Sequence, residues 1–445
     1  SIPQGDAFSP AILNLLMAGA LRIVAQQLQY QNVGGNEYKA VIYLDDRTYT
    51  TKKIANIKII RDTWHSVAES LGWKENLTKA AVVGATAQHD RDCEQHGIGD
   101  IRRDQVRILG VDFCRRKGQA ARKTRDQRFA KSIDVLQRVK GLPVGHARRR
   151  KLTASAAVTG YIWGMWFINL TVAQGNKFHR GLAKALWEND YTSKDLRAIF
   201  NGHGLDIGYM AGLIKFKAII WLVRKGQFYW DDWGRKYGSA LVGTFRKWMT
   251  GYQWVETGVW AWRHVGTSAV INMGRDVIGP MGDDDFADWR GKAGHDLREA
   301  WRWTKWAAFI KTGRRDANEC KVYQYDGKLV TRTRALYIKS MGHARKILCG
   351  DSVSPALFVQ RYKINIPCGW CGCVAEKAPW DHVAWTCPRG PEVGRIRVPM
   401  DPRQRRLGWP CSVDDGYNAA VLRHLAAVRD AVYAWARSRE PNVVS

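Results

Sequence analysis

Two hydrophobic periods alternate along the chain, and each change of period predicts an element boundary. Ser9-Pro10 reads as an N-cap followed by proline at the first helical position. The largely apolar run at residues 12–17 then predicts a well-buried helix. Val41-Ile42-Tyr43-Leu44 and Thr48-Tyr49-Thr50 flank Asp45-Asp46-Arg47, a strand–turn–strand pattern rich in β-formers. Ile57, Ile60, Trp64, Val67 and Leu71 recur at three- and four-residue steps, giving one apolar face of a helix. A short strand at 80–83 closes this first α+β stretch. Farther along, Phe129, Ile133 and Leu136 mark one buried helical face, and residues 161–360 read as mostly helical. A loop-like segment at 278–285 divides that region, and a last helix is expected near 419–438. No internal period suggests a solenoid.

Charge adds a partner to this outline. The chain carries 70 Lys and Arg against 41 Asp and Glu, a formal charge of +29, with 45% hydrophobic residues. The apolar share is too high for a disordered chain, and the positive surplus repels itself unless a polyanion neutralises it. No segment reaches the roughly 18 unbroken apolar residues of a bilayer span. The best stretches, 161–170 and 218–223, are short and flanked by polar or basic residues. A nucleic acid is therefore the expected partner, and a membrane is not. Between Arg102 and Lys151, 17 Lys or Arg stand against four Asp, a surface expected to track phosphates. Nineteen of the 21 tryptophans lie after residue 160. Groups such as Trp260-Trp262 and Trp301-Trp303-Trp306 suit base stacking, although large aromatics at helical spacing more often fill a core. The sequence opens on Ser1 with no Met and nothing like a signal peptide, so it reads as a truncated record.

Two clusters carry chemistry. Adjacent Asp45 and Asp46 at a hairpin tip offer the hard oxygen ligands that divalent ions prefer, although Asp-rich turns are common. Of nine cysteines, four crowd between Cys368 and Cys387, which argues for a metal site rather than a disulfide framework. Cys368-x2-Cys371-x10-His382-x4-Cys387 supplies three thiolates and one imidazole, a closed structural zinc set, with Cys373 a spare thiol able to compete for the ion. Asp283-Asp284-Asp285 with Asp288 is acidic enough for Mg²⁺ but reads better as a solvated loop.

The order of four blocks carries a resemblance. Ile2-Pro3-Gln4-Gly5-Asp6-Ala7-Phe8-Ser9-Pro10, with Asn14 in the helix that follows, is similar to the reverse transcriptase motif PQGxPxSPxLxN. Tyr43-Leu44-Asp45-Asp46 resembles the YxDD box, and Leu71-Gly72-Trp73-Lys74-Glu75-Asn76-Leu77-Thr78-Lys79 the next block of that family. Ile108-Leu109-Gly110-Val111 resembles its primer-gripping hairpin, and the cysteine spacing with Trp385-Thr386-Cys387-Pro388 its CCHC knuckle. The chain thus resembles the C-terminal part of a reverse transcriptase from a non-LTR (LINE-like) retrotransposon.

That resemblance implies an α+β fold in four parts: a partial polymerase palm (1–113), a basic helical thumb (114–160), a Trp-rich, mostly helical connection region (161–360), and a zinc knuckle with a C-terminal helix (361–445). It implies two-metal nucleotidyl transfer onto a primer 3′ hydroxyl, with Asp45 a ligand of Mg²⁺ (or Mn²⁺), Asp46 in support and Lys79 near the triphosphate. Pro3, Gln4, Gly5 and Tyr43 would line the nucleotide and template pocket, and Leu109 and Gly110 would hold the primer end. Arg115, Arg116, Lys117, Arg122, Lys123, Arg125, Arg148, Arg149 and Arg150 would contact nucleic acid. Partners would be template RNA, a DNA primer or target and deoxynucleotide triphosphates; the setting would be intracellular, nuclear or cytoplasmic. The chain departs from the family at Asp6-Ala7-Phe8 and at Ala80, and it does not contain the strand that bears the family's first catalytic aspartate. By itself it is therefore expected not to polymerise. The tail after Cys387 has no lysine for a restriction-like nuclease, and no ordered carboxylates suggest an RNase H site. A non-catalytic nucleic-acid-binding remnant of a retroelement, using the basic helices and the knuckle, is the rival reading. An upstream in-frame strand with an Asp would favour the enzyme.

Overall fold

The computed structural model describes residues 9–31, 33, 38–43, 46–84, 86–108, 111–114, 119–163, 171–186, 193–225, 240–312, 320, 323–340, 342–351, 354–390 and 396–439. The described chain is mostly helical with three small antiparallel sheets, an α+β fold. It divides into two compact units, Ser1–Gln127 and Arg128–Ser445.

In the first unit, helix α1 (Ser9–Tyr30) precedes a hairpin of β1 (Tyr38–Tyr43) and β2 (Asp46–Thr51). Helix α2 (Ile54–Ser70), α3 (Ala87–Gln95) and a second hairpin, β3 (Gln105–Ile108) with β4 (Val111–Cys114), follow. Each hairpin forms its own two-stranded sheet. The core is a stripe of α1, Met17, Ala20, Val24 and Leu28, packed on Ile60, Trp64 and Val67 of α2. Three expectations change here. Helix α1 is buried on one side only: Leu15 is 76% exposed and Ile23 48%, because the run is apolar all round while one stripe meets α2. Leu71 caps α2 and is exposed, since Gly72 turns the chain at φ +66 immediately after it. The strand at 80–83 is reduced to one parallel bridge, Val82 to Arg102.

The second unit begins within α4 (Gln119–Gly141), whose Phe129 and Leu136 are buried as the pattern predicts. Helix α5 (His146–Leu152) runs on through a π-helical stretch, Thr153–Val158. Helices α6 (Val172–Leu186), α7 (Lys194–Asn201), α8 (Ile207–Arg224) and α9 (Ala240–Gly251) precede a three-stranded sheet. Its strands β5 (Trp254–Gly258), β6 (Ala261–His264) and β7 (Val270–Asn272) pair in chain order. A helical reading of 161–360 misses this sheet, although Trp262 and His264 point in while Arg263 between them points out. Then come α10 (Asp283–Ile310), α11 (Gly327–Lys339), α12 (Gly342–Leu348), α13 (Pro355–Tyr362), α14 (Pro402–Leu407) and α15 (Asp415–Arg439).

The loop expected at 278–285 ends early, because Asp283, Asp284 and Asp285 form the first turn of α10, where their charge complements the helix dipole. Among the described residues the tryptophans are mainly core. Trp254, Trp260, Trp262 and Trp301 surround Phe216 and Phe245 in one cluster, and Trp306, Trp380, Trp385 and Trp409 lie in another that runs from Phe129 to Ala436. Glycine makes room for such large rings: a Cβ at Gly212 would overlap the indole of Trp248. Trp163 and Trp221 stay about half exposed. Among the described residues no helix is long and apolar enough to cross a membrane.

Candidate metal centre and nucleic-acid interface

Pairing of β1 with β2 closes at Tyr43 opposite Asp46, which leaves Leu44 and Asp45 as the two residues between them. The same register recurs in the second hairpin, where Ile108 pairs with Val111 and Leu109-Gly110 stand between. Asp45, Leu109, Gly110, Pro3, Gln4, Gly5, Arg115, Arg116 and Lys117 lie outside the described residues, and Tyr43, Asp46, Arg122 and Lys123 are described only by backbone. Beside the hairpin, Arg47 on β2 pairs with Glu75 and lies 4.3 Å over the ring of Trp64. His65 approaches the same carboxylate at 3.6 Å. The Arg47–Glu75 pair thus ties the Asp-Asp hairpin to the 71–79 block, a link the sequence pattern left unread. Lys79 ends a short 3₁₀ turn and is exposed.

The basic stretch divides by partner. Arg125 donates to its neighbour Asp126 at 3.0 Å. Arg149 and Arg150 each donate 3.0 Å bonds to main-chain carbonyls, of Leu142 and Asn201, and Arg148 is exposed.

The cysteine segment folds as a tight turn. Cys368 N–H donates to the Cys373 carbonyl at 2.9 Å, and Gly372 N–H donates to the Cys368 carbonyl at 2.7 Å. Gly372 makes this possible at φ +75, a backbone state that costs a side-chain-bearing residue about 1 kcal/mol. On the opposite side, residues His382–Thr386 form a π turn, closed by Cys387 N–H on the His382 carbonyl at 2.7 Å. The wider turn brings residues five apart to one side, so His382 and Cys387 both face the cysteine turn.

Cys368, Cys371, Cys373 and His382 have their ligand atoms within 4.8 Å of one another. Cys387 Sγ stands 3.8 Å from Cys368 Sγ. His382 Nε2 is 3.4 Å from Cys371 Sγ and 3.5 Å from Cys373 Sγ. A tetrahedral zinc ion requires edges of about 3.8 Å between sulfurs and about 3.5 Å from sulfur to nitrogen. The donor set therefore fits a zinc-sized ion, and the cluster is able to hold a metal such as Zn²⁺. Cys373, expected to be spare, stands among the ligand atoms. Its backbone N–H holds the Cys371 thiol down at about 6. Loss of water pushes Cys373 up to about 11 and Cys387 up to about 12.

A second layer fixes this centre. Asp381, next to His382, takes a 2.6 Å bond from the fully buried Arg406 of α14, a helix capped by Asp401 on the Arg403 N–H. Trp435 of α15 covers Gly369 and meets Trp370 edge to face at 5.0 Å. Arginines 403 and 406 in this basic run thus face carboxylates of the protein itself.

Comparison with protein families, with curated proteins and with solved structures finds no match.

Proposed function

We propose that the chain is the C-terminal part of a retroelement reverse transcriptase, an RNA-directed DNA polymerase that holds template and primer and carries a structural zinc knuckle. The observation that carries this reading is the Tyr43–Asp46 hairpin held to the 71–79 block by Arg47 and Glu75, because it joins two of the four ordered blocks in space. In this reading Asp45 would hold a divalent ion with Asp46 in support, an ion that would supply Lewis-acid chemistry at the primer hydroxyl, and Lys79 would answer charge on the triphosphate. Cys368, Cys371 and His382 would hold the zinc, with Cys373 and Cys387 both beside them as candidates for the fourth position.

The chain is expected to bind a template–primer duplex through its basic surface. The test measures binding of the purified chain to a labelled RNA–DNA duplex between about 50 and 200 mM salt, where several phosphate contacts predict a loss of about a hundredfold or more. Affinity indifferent to salt would remove the nucleic-acid reading. Primer extension with Mg²⁺ and four deoxynucleotides would support the family directly.

A further inference from the structure

We propose that Arg150, Arg298, Arg302 and Arg334 form a phosphate-gripping cluster around His203, at the C-terminal end of α7, that holds the phosphodiester backbone of a bound nucleic acid. The proposal rests on the nucleic-acid reading above and gives it a place in the second unit.

The cluster is assembled from three helices. Arg150, from α5, donates to the Asn201 carbonyl at 3.0 Å, and Arg334, from α11, donates to the Phe200 carbonyl at 3.3 Å. These carbonyls are the last two of α7, so both side chains converge on one helix end. Glycine at 202, with φ +93, keeps the following backbone bare, and the Arg334 guanidinium lies 3.0 Å from where a Cβ would stand. Arg298 and Arg302, one turn apart on α10, flank Trp301, whose ring meets that of His203 edge to face at 6.2 Å.

Capping a helix end is a sufficient structural role for one N–H of Arg150 and one of Arg334. It leaves most of the five donors of each guanidinium uncommitted. Among the described residues, Arg302 pairs with Glu299, while no carboxylate pairs with Arg150, Arg298 or Arg334. The charges press on one another. Burial lowers the pKa of Arg334, and Arg150 and Arg302 lower it further. His203 is pushed down to about 4 by burial and by Arg298, Arg334 and Arg302, against an opposing pull from Asp206. A cationic site so poor in counter-charge is relieved by a phosphate, and guanidinium forks match phosphate oxygens in pairs.

The experiment compares the full chain with its Arg298→Gln/Arg334→Gln variant on the same labelled RNA–DNA duplex. Loss of two phosphate contacts is expected to make the slope of log affinity against log salt shallower by about 2, with affinity down about tenfold. An unchanged slope in a variant whose parent binds in a salt-sensitive way overturns the cluster; a parent that shows no salt-sensitive binding brings down the nucleic-acid reading first. A second readout needs no variant: in ¹³C-histidine-labelled protein the His203 titration is expected to rise from about 4 when the duplex is added. A titration that stays put overturns the proposal even if the slope falls. Displacement of the duplex by polyglutamate at equal charge concentration also overturns it, and assigns the cluster to an acidic protein surface.

Discussion

Asp206, 3% exposed at the head of α8, accepts from three donors: Tyr209 N–H at 3.0 Å, Trp301 Nε1–H at 2.9 Å and Lys305 Nζ at 3.0 Å. Burial pushes its carboxyl up, but Lys305, His179 and the two N–H donors outweigh that and hold it below the usual carboxylate range. Lys305 mirrors this, lowered by burial and raised more by Asp206. Asp206→Asn keeps the shape and leaves a nearly buried ammonium without its counter-charge, so it is expected to cost about 3–5 kcal/mol. Adding Lys305→Met should restore much of the loss, and urea unfolding of both variants measures it. The sign with pH follows from the depressed folded-state pKa. The contribution of Asp206 is fully present above its unfolded value, about 4, and is lost as pH falls toward the lower folded value. The gap between parent and Asp206→Asn should therefore close in acid; a gap that widens would contradict the pairing.

Gly369 and Gly372 make the 368–373 turn a single mechanical element, one yielding to Trp435 and the other turning the backbone. Gly369→Ala would put a Cβ into the Trp435 indole and shift the turn that carries three of the sulfurs. It is expected to weaken zinc binding about 10–100-fold, as disturbed supporting residues usually do. Cys368→Ser with His382→Ala should abolish stoichiometric zinc outright. Elemental analysis and competition with a chelator separate the two results, and full zinc in the double variant would remove the centre. The contrast shows what a sequence can display at this scale. The Cys/His cluster is legible because 20 residues hold all of it and few other chemistries use that spacing. The entry of Cys373 among the ligand atoms was not legible, because it depends on the hydrogen bonds of the turn. The first β hairpin was legible from β-formers flanking a short turn and the second only through its likeness to a family block, whereas β5–β7 escaped because glycine and tryptophan obscure their alternation. Arg150, Arg298, Arg302 and Arg334 had no sequence signature, since 184 positions separate the first from the last.

The second unit as a whole buries histidines in a field of arginines, and this gives it a direction of pH sensitivity. His146 is pushed down to about 4 by burial and then by Arg345, Arg150 and Arg149; His203 reaches the same value by burial and Arg298, Arg334 and Arg302; His264 reaches it by burial. His179 moves the same way, while Asp195, raised by burial, works in the opposite sense near its own range. A folded-state pKa below the unfolded value of about 6.5 means that the unfolded chain takes up protons first. Stability from these neutral histidines is thus fully present above about pH 6.5 and drains away as pH falls toward about 4. Tryptophan fluorescence is the natural probe, because all but Trp64 and Trp73 lie in the second unit. The slope of unfolding free energy between pH 6.5 and 4, measured in urea on the whole chain, should approach one proton for each of His146, His203 and His264. His264→Phe should flatten it by one, because burial and not a charged neighbour lowers this imidazole, whose Nδ1 accepts from the Thr267 N–H at 2.9 Å. Bound duplex should flatten the His203 share most, since a phosphate beside the arginines removes the repulsion that adds to burial in keeping this imidazole neutral, and the His146 share less, since of its arginines only Arg150 belongs to the cluster. A slope unaffected by duplex, in protein that binds it, would leave the histidines as core residues and place the nucleic acid elsewhere on the chain.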